Sequence, residues 1–241
     1  MMVYNYIKYG VLIMKILASD FDKTLYIEDS LQLNKNISSI LDFMRLGNIF
    51  IIITGRSYFD IKLLLNQYHI PYTYLICEDG AKIYDSNDYC LSTSPIEADI
   101  VKKIISIVEE FDYTYLLDDG YNYTTNINDC VKVVIPYHDS MKASLLLLKI
   151  KESVSIEGYI SREHININGK GVNKFNSLKR LISMENFNYD DLYVIGDEIN
   201  DLEMIQNFNG AIMEDHNKVF DNINKKSYKY LYMYIEELCK K

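Results

Sequence analysis

A short apolar run closes on two aspartates one residue apart: Ile16-Leu17-Ala18-Ser19-Asp20-Phe21-Asp22-Lys23-Thr24-Leu25. Side chains two positions apart on an extended chain point the same way, so Asp20 and Asp22 project together. Neighbouring carboxylates are unfavourable without a cation beside them. The pair therefore suggests a divalent metal, a nucleophile with an acid/base partner, or both. Three more polar clusters follow: Thr54-Gly55-Arg56-Ser57, Lys174 shortly after Gly169-Lys170-Gly171, and Gly196-Asp197-Glu198-Ile199-Asn200-Asp201. Taken singly each has an ordinary reading. Asp-x-Asp after a strand is a turn or capping signal, and a lone lysine is a solvated surface residue. Their joint occurrence carries the argument.

Each cluster follows, or directly opens, an element of one repeating pattern, so a parallel sheet would bring all of them to a single rim. Open α/β sheets bind their ligands at that rim, beyond the carboxyl ends of the strands. The chemistry that fits is phosphoryl transfer. Asp20 supplies a carboxylate nucleophile, which splits one hard displacement into two easier ones. Mg²⁺ takes hard oxygens, one or two carboxylates with waters and substrate phosphate, and Asp20 and Asp197 meet that need. Thr54 and nearby backbone N–H groups, that of Gly55 among them, hold phosphoryl oxygens. Lys174 places positive charge where negative charge spreads in the transition state. Asp22 protonates the leaving oxygen and later accepts a proton from water.

The elements that must position these residues alternate. Lys15–Ser19, Ile49–Thr54, Leu75–Cys77, Asp191–Ile195 and Gly210–Met213 read as strands. Their continuous apolar character is that of strands covered on both faces. Asn36–Leu46, Ser57–Tyr68, Asn173–Ser183, Leu202–Asn207, Lys218–Ile223 and the tyrosine-rich Tyr228–Leu238 read as helices, with Ser57 as an N-cap. Alternating strands and helices imply parallel βαβ units, hence an α/β, doubly wound, mainly parallel core. The middle differs: a hairpin over Ala81–Leu91 turning at Asp85-Ser86-Asn87-Asp88, helices at Ile96–Phe111 and Met141–Ile150, and strands at Val131–Pro136, Val154–Ile160 and His164–Asn168. This mixture predicts an inserted α+β cap over residues 82–166, with the core formed by residues 1–81 and 167–241.

Composition narrows the classes. Hydrophobic residues make up 49% and charged residues 24%, and the formal net charge is -9. Nucleic acid and anionic membranes are bound by basic patches, and no Lys or Arg run is present, so neither is expected as a partner. No apolar stretch approaches the roughly 20 residues of a membrane span. Cys77, Cys90, Cys130 and Cys239 lack disulfide or zinc spacing, which points to a reducing compartment and a cytoplasmic protein. Residues 1–13 read as an extension or a misassigned start before Met14, and a monomer or homodimer is expected.

Asp20-x-Asp22-x-Thr24, Thr54, Lys174 and Gly196-Asp197-x-x-Asn200-Asp201 in this order resemble the haloacid dehalogenase (HAD) superfamily of phosphatases, and within it the Cof-like branch, whose α/β cap lies between the second and third motifs. The resemblance covers about Met14 to Asn224. It implies a Mg²⁺-dependent phosphatase acting on a small phosphorylated metabolite. Asp20 would form an aspartyl-phosphate. Asp22 would be the acid/base and give its backbone carbonyl to Mg²⁺, and Asp197 would be the second carboxylate ligand. Asp201 would orient metal waters or Lys174, and Thr54, Lys174 and Asn200 would position the phosphoryl group. Asp79-Gly80-Ala81 stands where many relatives carry Asn-Gly-Ala and is expected to be tolerated as a turn. Glu214-Asp215-His216 stands where relatives usually read Asn-Ala, and the C-terminal acidic-glycine loop is missing. A phosphomutase and a catalytically silent binding protein are the alternatives on the same fold. Arg56 is a candidate substrate contact, with a surface or interdomain ion pair as its other reading. Tyr121, Tyr123, Arg162 and His164 are candidates to line the cleft from the cap.

Overall fold

The computed structural model describes residues 14–161 and 163–240. Residues 1–13 and Arg162, singled out above, lie outside the described residues. The chain begins with β1 (Ile16–Asp20), α1 (Ser30–Arg45), β2 (Ile49–Ile53), α2 (Tyr58–Tyr68) and β3 (Tyr74–Cys77), then turns back through the hairpin β4 (Lys82–Asp85) and β5 (Cys90–Thr93). The middle runs α3 (Ala98–Glu110), β6 (Leu116–Asp118), β7 (Tyr123–Thr124), β8 (Lys132–Pro136), α4 (Ser140–Ser153), β9 (Ile156–Ile160) and β10 (His164–Gly169). The first pattern then resumes with α5 (Lys174–Met184), β11 (Leu192–Gly196), α6 (Leu202–Asn207), β12 (Asn209–Met213), β13 (Ser227–Tyr228) and α7 (Leu231–Lys240).

These strands make two sheets: an eight-stranded one in the order β13-β12-β11-β1-β2-β3-β4-β5, and a five-stranded one in the order β7-β6-β8-β10-β9. The large sheet is parallel except at β4, which runs antiparallel to both neighbours. Its strand order reverses at β1, with β2 on one side and β11 on the other. The sheet is covered on both faces. Leu17, Phe50 and Ile52 pack with Phe43, Leu65, Ile235 and Leu238 on one side. Ile16, Ala18, Ile51 and Ile53 pack with Leu178, Leu181, Met204 and Ile205 on the other. This alternation along β1 and β2 is the period-two pattern that a two-faced core requires. The structure is thus an α/β fold with an inserted cap.

The cap sheet is antiparallel and two-sided in character. Leu117, Val133, Ile135, Ile165 and Ile167 pack against Val101, Ile104, Leu146 and Ile150 of α3 and α4. The intervening positions Asp118, Lys132, Val134, His164 and Asn166 line a cleft shared with the large sheet. Apolar and polar positions alternate because one face meets helices and the other meets the site.

Four expectations are corrected. The expected cap boundary at residue 82 falls too early: β4 pairs with β3 and extends the large sheet, so the chain leaves that sheet only after Thr93. The later boundary, at 166/167, falls inside β10, which stays paired with β9 as far as Gly169. A hairpin reads the same in sequence whichever sheet it joins; its pairing partner, β3, decides. Tyr228 is also not helical. Met213 and Tyr228 are parallel register partners at the sheet edge, and the helix begins at Leu231, burying Leu231, Tyr234, Ile235 and Leu238. The segment expected as helix over Lys218–Ile223 is a single 3-10 turn, Lys218–Phe220. Asp221, Asn222 and Asn224 are residues that compete with helical hydrogen bonding. All four cysteines are free, and among the described residues no helix is long and apolar enough to cross a membrane.

Candidate active site

Register fixes the first half of the site. Ser19 lies opposite Ile195 and Asp20 opposite Ile53. Asp20, Asp197 and Thr54 therefore emerge side by side at the carboxyl ends of β1, β11 and β2. Lys174 opens α5, whose N-cap Asn173 accepts from the Asn176 N–H. Its ammonium is buried and donates to Asp20 Oδ1 and to Asp201 Oδ1, both at 2.6 Å. The other Asp201 oxygen accepts the Asp197 and Glu198 N–H groups at 3.1 and 3.0 Å. Gly196 permits this fold-back, since a Cβ there would sit 2.4 Å from Asp201 Cγ. Thr24 Oγ1 donates to Asp197 Oδ1 at 2.9 Å.

Asp20, Asp197 and Asp201 each offer an oxygen within 4.8 Å of the others, all buried. Lys174 is bonded to two of the three, Asp20 and Asp201. Burial drives the Asp20 carboxyl well above the usual carboxylate range, and Asp201 and Asp197 add to this against the attraction of Lys174. Burial and then the charge of Asp201 push Asp197 up to about 6. Burial opposes a charged Lys174, yet Asp20, Asp201 and Asp79 hold it above the ordinary lysine range. The cluster thus holds three carboxyl groups against the one ammonium of Lys174. Its donors are hard oxygens, the set a divalent cation such as Mg²⁺ takes, so the residues present fit the metal.

Asp22 and Arg56 meet elsewhere. Arg56 donates to both Asp22 oxygens, from Nε at 2.8 Å and from a terminal nitrogen at 2.7 Å. Arg56 is therefore in the ion pair that was its second reading, within the core, while still lining the cleft. The Asp22 carboxylate lies outside the acidic trio, whereas Asp201, expected to act behind the ligands, lies in it. Thr54 is buried, and its hydroxyl accepts the Arg56 N–H at 3.1 Å. Asn200 Nδ2 donates to Asp79 Oδ1 at 2.7 Å and to the Tyr159 hydroxyl oxygen at 3.2 Å. Tyr123 and His164 line the cleft. Tyr121 instead lies against Tyr58 and Phe59, with ring centroids 5.8 and 6.0 Å apart.

The residue that sequence reasoning undervalued is Asp79. It is far more than a turn. Its buried carboxylate accepts Lys132 Nζ at 2.7 Å and the Tyr159 hydroxyl at 3.1 Å, both from the cap, besides Asn200. Lys132 also donates to the Gly55 carbonyl at 2.7 Å and pairs with Glu78 at 3.4 Å. Burial opposes ionisation of Asp79, but Lys132 and Lys174 hold its carboxyl below the usual range. The signal was present: an acidic residue in a neutral position calls for a cation, and Lys132 is the charged residue at the start of an otherwise apolar strand.

Glu78 behaves oppositely. Burial pushes its carboxyl from 4.5 up to about 8; Lys132 opposes this, and Asp118 and Asp79 add to it. The folded protein therefore keeps a proton there that the unfolded chain releases, and stability falls as pH rises from about 4.5 to about 8. In metal-free buffer, Glu78→Gln should flatten the decline in melting temperature across this window. A slope identical to wild type would show that Glu78 does not hold that proton.

All this surrounds a cleft of about 480 Å³ between the two sheets, a size suited to a small molecule. A family model of haloacid dehalogenase-like hydrolases matches residues 17–157 and 119–230. The chain belongs to the haloacid dehalogenase-like hydrolases. Among curated proteins it is 22% identical over 200 residues to the 5-amino-6-(5-phospho-D-ribitylamino)uracil phosphatase YcsE of Bacillus subtilis, covering 80% of each chain. It is 26% identical over 252 residues to an uncharacterized protein of Mycoplasma capricolum, covering 88% of this chain and 95% of that one. A HAD-superfamily phosphatase structure from Bacteroides thetaiotaomicron superposes with a TM-score of 0.82 at 16% identity, covering 98% of this chain and 99% of that one. A structure described as a HAD/COF-like hydrolase from Plasmodium vivax gives 0.80 at 19% identity, covering 94% and 96%. Hydrolysis is the class of reaction that this membership gives the chain.

Proposed function

We propose that this hydrolase removes the phosphoryl group from a small phosphorylated metabolite, a sugar phosphate or similar phosphomonoester, with Mg²⁺ as cofactor. The observation that carries the reading is the meeting of Asp20, Asp197, Asp201 and Lys174 in one buried cluster beside the cleft. The Bacillus subtilis relative named for a phospho-ribityl compound supports the substrate class. Asp20 and Asp197, with the Asp22 backbone carbonyl, would hold Mg²⁺, which when bound offsets the charge of the phosphoryl oxygens.

Asp20 attacks phosphorus, and its new O–P bond forms as the ester O–P bond breaks. Asp22 gives a proton to the departing ester oxygen, which requires its carboxyl to exchange Arg56 for the substrate. Asp22 then takes a proton from water, and that water's attack on the aspartyl-phosphate releases inorganic phosphate and restores Asp20. Lys174 keeps positive charge beside Asp20 throughout, and its bond to Asp201 fixes its position. Thr54 and the Gly55 backbone hold phosphoryl oxygens, and Asn200, oriented by Asp79, completes that side.

The test is a panel of phosphorylated metabolites assayed for inorganic phosphate with Mg²⁺ and with a chelator. Release from at least one ester, lost on chelation, is expected. Conversion of one isomer to another without release would favour a phosphomutase, and inert behaviour toward the whole panel would favour a silent binding protein.

A further inference from the structure

The cap wall of the cleft has its own chemistry. Asp118, Lys132 and Asn168 form one row across β6, β8 and β10, and Val134 and Asn166 belong to the next. Lys132 is the charged donor of this wall, but its three ammonium hydrogens already face three acceptors: the Gly55 carbonyl, Asp79 Oδ2 and Glu78 Oε2. What remains is acceptor capacity. Asp118 is 5% exposed, and its Oδ1 is fixed by the Gly120 N–H at 2.7 Å. Its Oδ2 has no hydrogen bond or ion pair among the described residues. Asn166 is 8% exposed, and its amide nitrogen donates to Ser161 Oγ at 3.2 Å. Its Oδ1 likewise has no donor among the described residues. Both side chains line the cleft, and the exposed Asp60 adds a further carboxylate at its rim.

Acceptors this buried gain most from a partner that brings hydrogens. Resting on the phosphatase reading above, we infer that Asp118 and Asn166 form an acceptor subsite for the leaving group, selecting small phosphomonoesters that present hydroxyl or ammonium hydrogens. A leaving group with a second anion would meet Asp118 and Asp60 and be disfavoured by like charge. An alkyl leaving group would remove water from both acceptors and return nothing.

The experiment compares kcat/KM for glucose 6-phosphate, glucosamine 6-phosphate, 6-phosphogluconate and n-hexyl phosphate. The first two should exceed the last two by about tenfold or more, the scale of one hydrogen bond to a charged group. Asp118→Asn, which keeps an oxygen for the Gly120 turn, should shrink the ratio of glucosamine 6-phosphate to 6-phosphogluconate by about tenfold. Asn166→Leu should narrow the margin over n-hexyl phosphate. Equal or better turnover of the anionic or alkyl ester, or an unchanged ratio in Asp118→Asn, overturns the subsite. Calorimetric binding of the same four esters to Asp20→Asn protein separates the two readings. Ranked binding with no phosphate release by the wild type overturns the phosphatase assignment and keeps the subsite. Release without ranking overturns the subsite alone.

Discussion

Asp20→Asn will lower phosphate release by about 10⁴-fold or more, the scale seen when a covalent nucleophile is removed, while the protein stays folded. Asparagine keeps the size of the side chain and an oxygen toward Lys174, so the packing around β1 has no reason to change. It also removes one charge from a cluster in which burial already disfavours the ionised Asp20. The metal-free variant should therefore melt at or above the wild-type temperature. Phosphate release at saturating ester, paired with a thermal melt in chelator, reads both halves. Full Mg²⁺-dependent turnover in the variant would remove Asp20 from the mechanism. A collapsed melt would mean that Asp20 serves mainly to hold the fold.

Lys174→Met carries the largest expected effect on stability. Lys174 is 1% exposed and spans 2.6 Å contacts to both Asp20 and Asp201. Removing one partner of a buried pair leaves uncompensated charge, which costs about 3–5 kcal/mol. In a chain of this size that corresponds to a melting temperature lower by roughly 10 °C. Because the lost charge is positive, Mg²⁺ should recover part of the difference, so the gap between variant and wild type should be wider in chelator than in magnesium. Turnover should fall about 10³-fold even with the metal present, through lost charge stabilisation. Urea titrations under both conditions measure the first effect. Equal stability in chelator would mean that the trio is discharged by protonation and that Lys174 acts in catalysis alone.

The site was legible to different depths. Asp20, Asp197 and Thr54 follow apolar runs, and once the strands are parallel their convergence is unavoidable. Lys174 was legible only through the order of motifs, since nothing local to Asn173-Lys174 shows that its ammonium is buried. Asp79 was misjudged because a turn explains its backbone: its φ of 54° invites a conformational reading, while its side chain answers to Lys132, 53 residues away. The short strands β6 and β7 were missed because Asp118-Asp119-Gly120 and Tyr121-Asn122 are strong turn signals on either side of few apolar residues. Arg56 could not be placed, because a guanidinium reaches a carboxylate or a ligand equally well and only the fold brings Asp22 to it.

The two crossings of the chain between the sheets lie against each other. Gly169 packs against Pro95 and Ile96 where the chain enters and leaves the cap, and Arg180 ties Ser94 and the Gly80 carbonyl to α5. To the large sheet, everything between these points is a single closed loop. The entropy of closing a loop grows only slowly with its length, so lengthening, shortening or replacing the insertion disturbs the sheet little once the ends are joined. Over evolutionary time, recognition and chemistry can then change at different rates. The cost falls on the order of assembly. Asp20 and Lys174 are 154 residues apart, so in a chain emerging from the ribosome Asp20 must wait for the whole insertion to be synthesised before its lysine arrives.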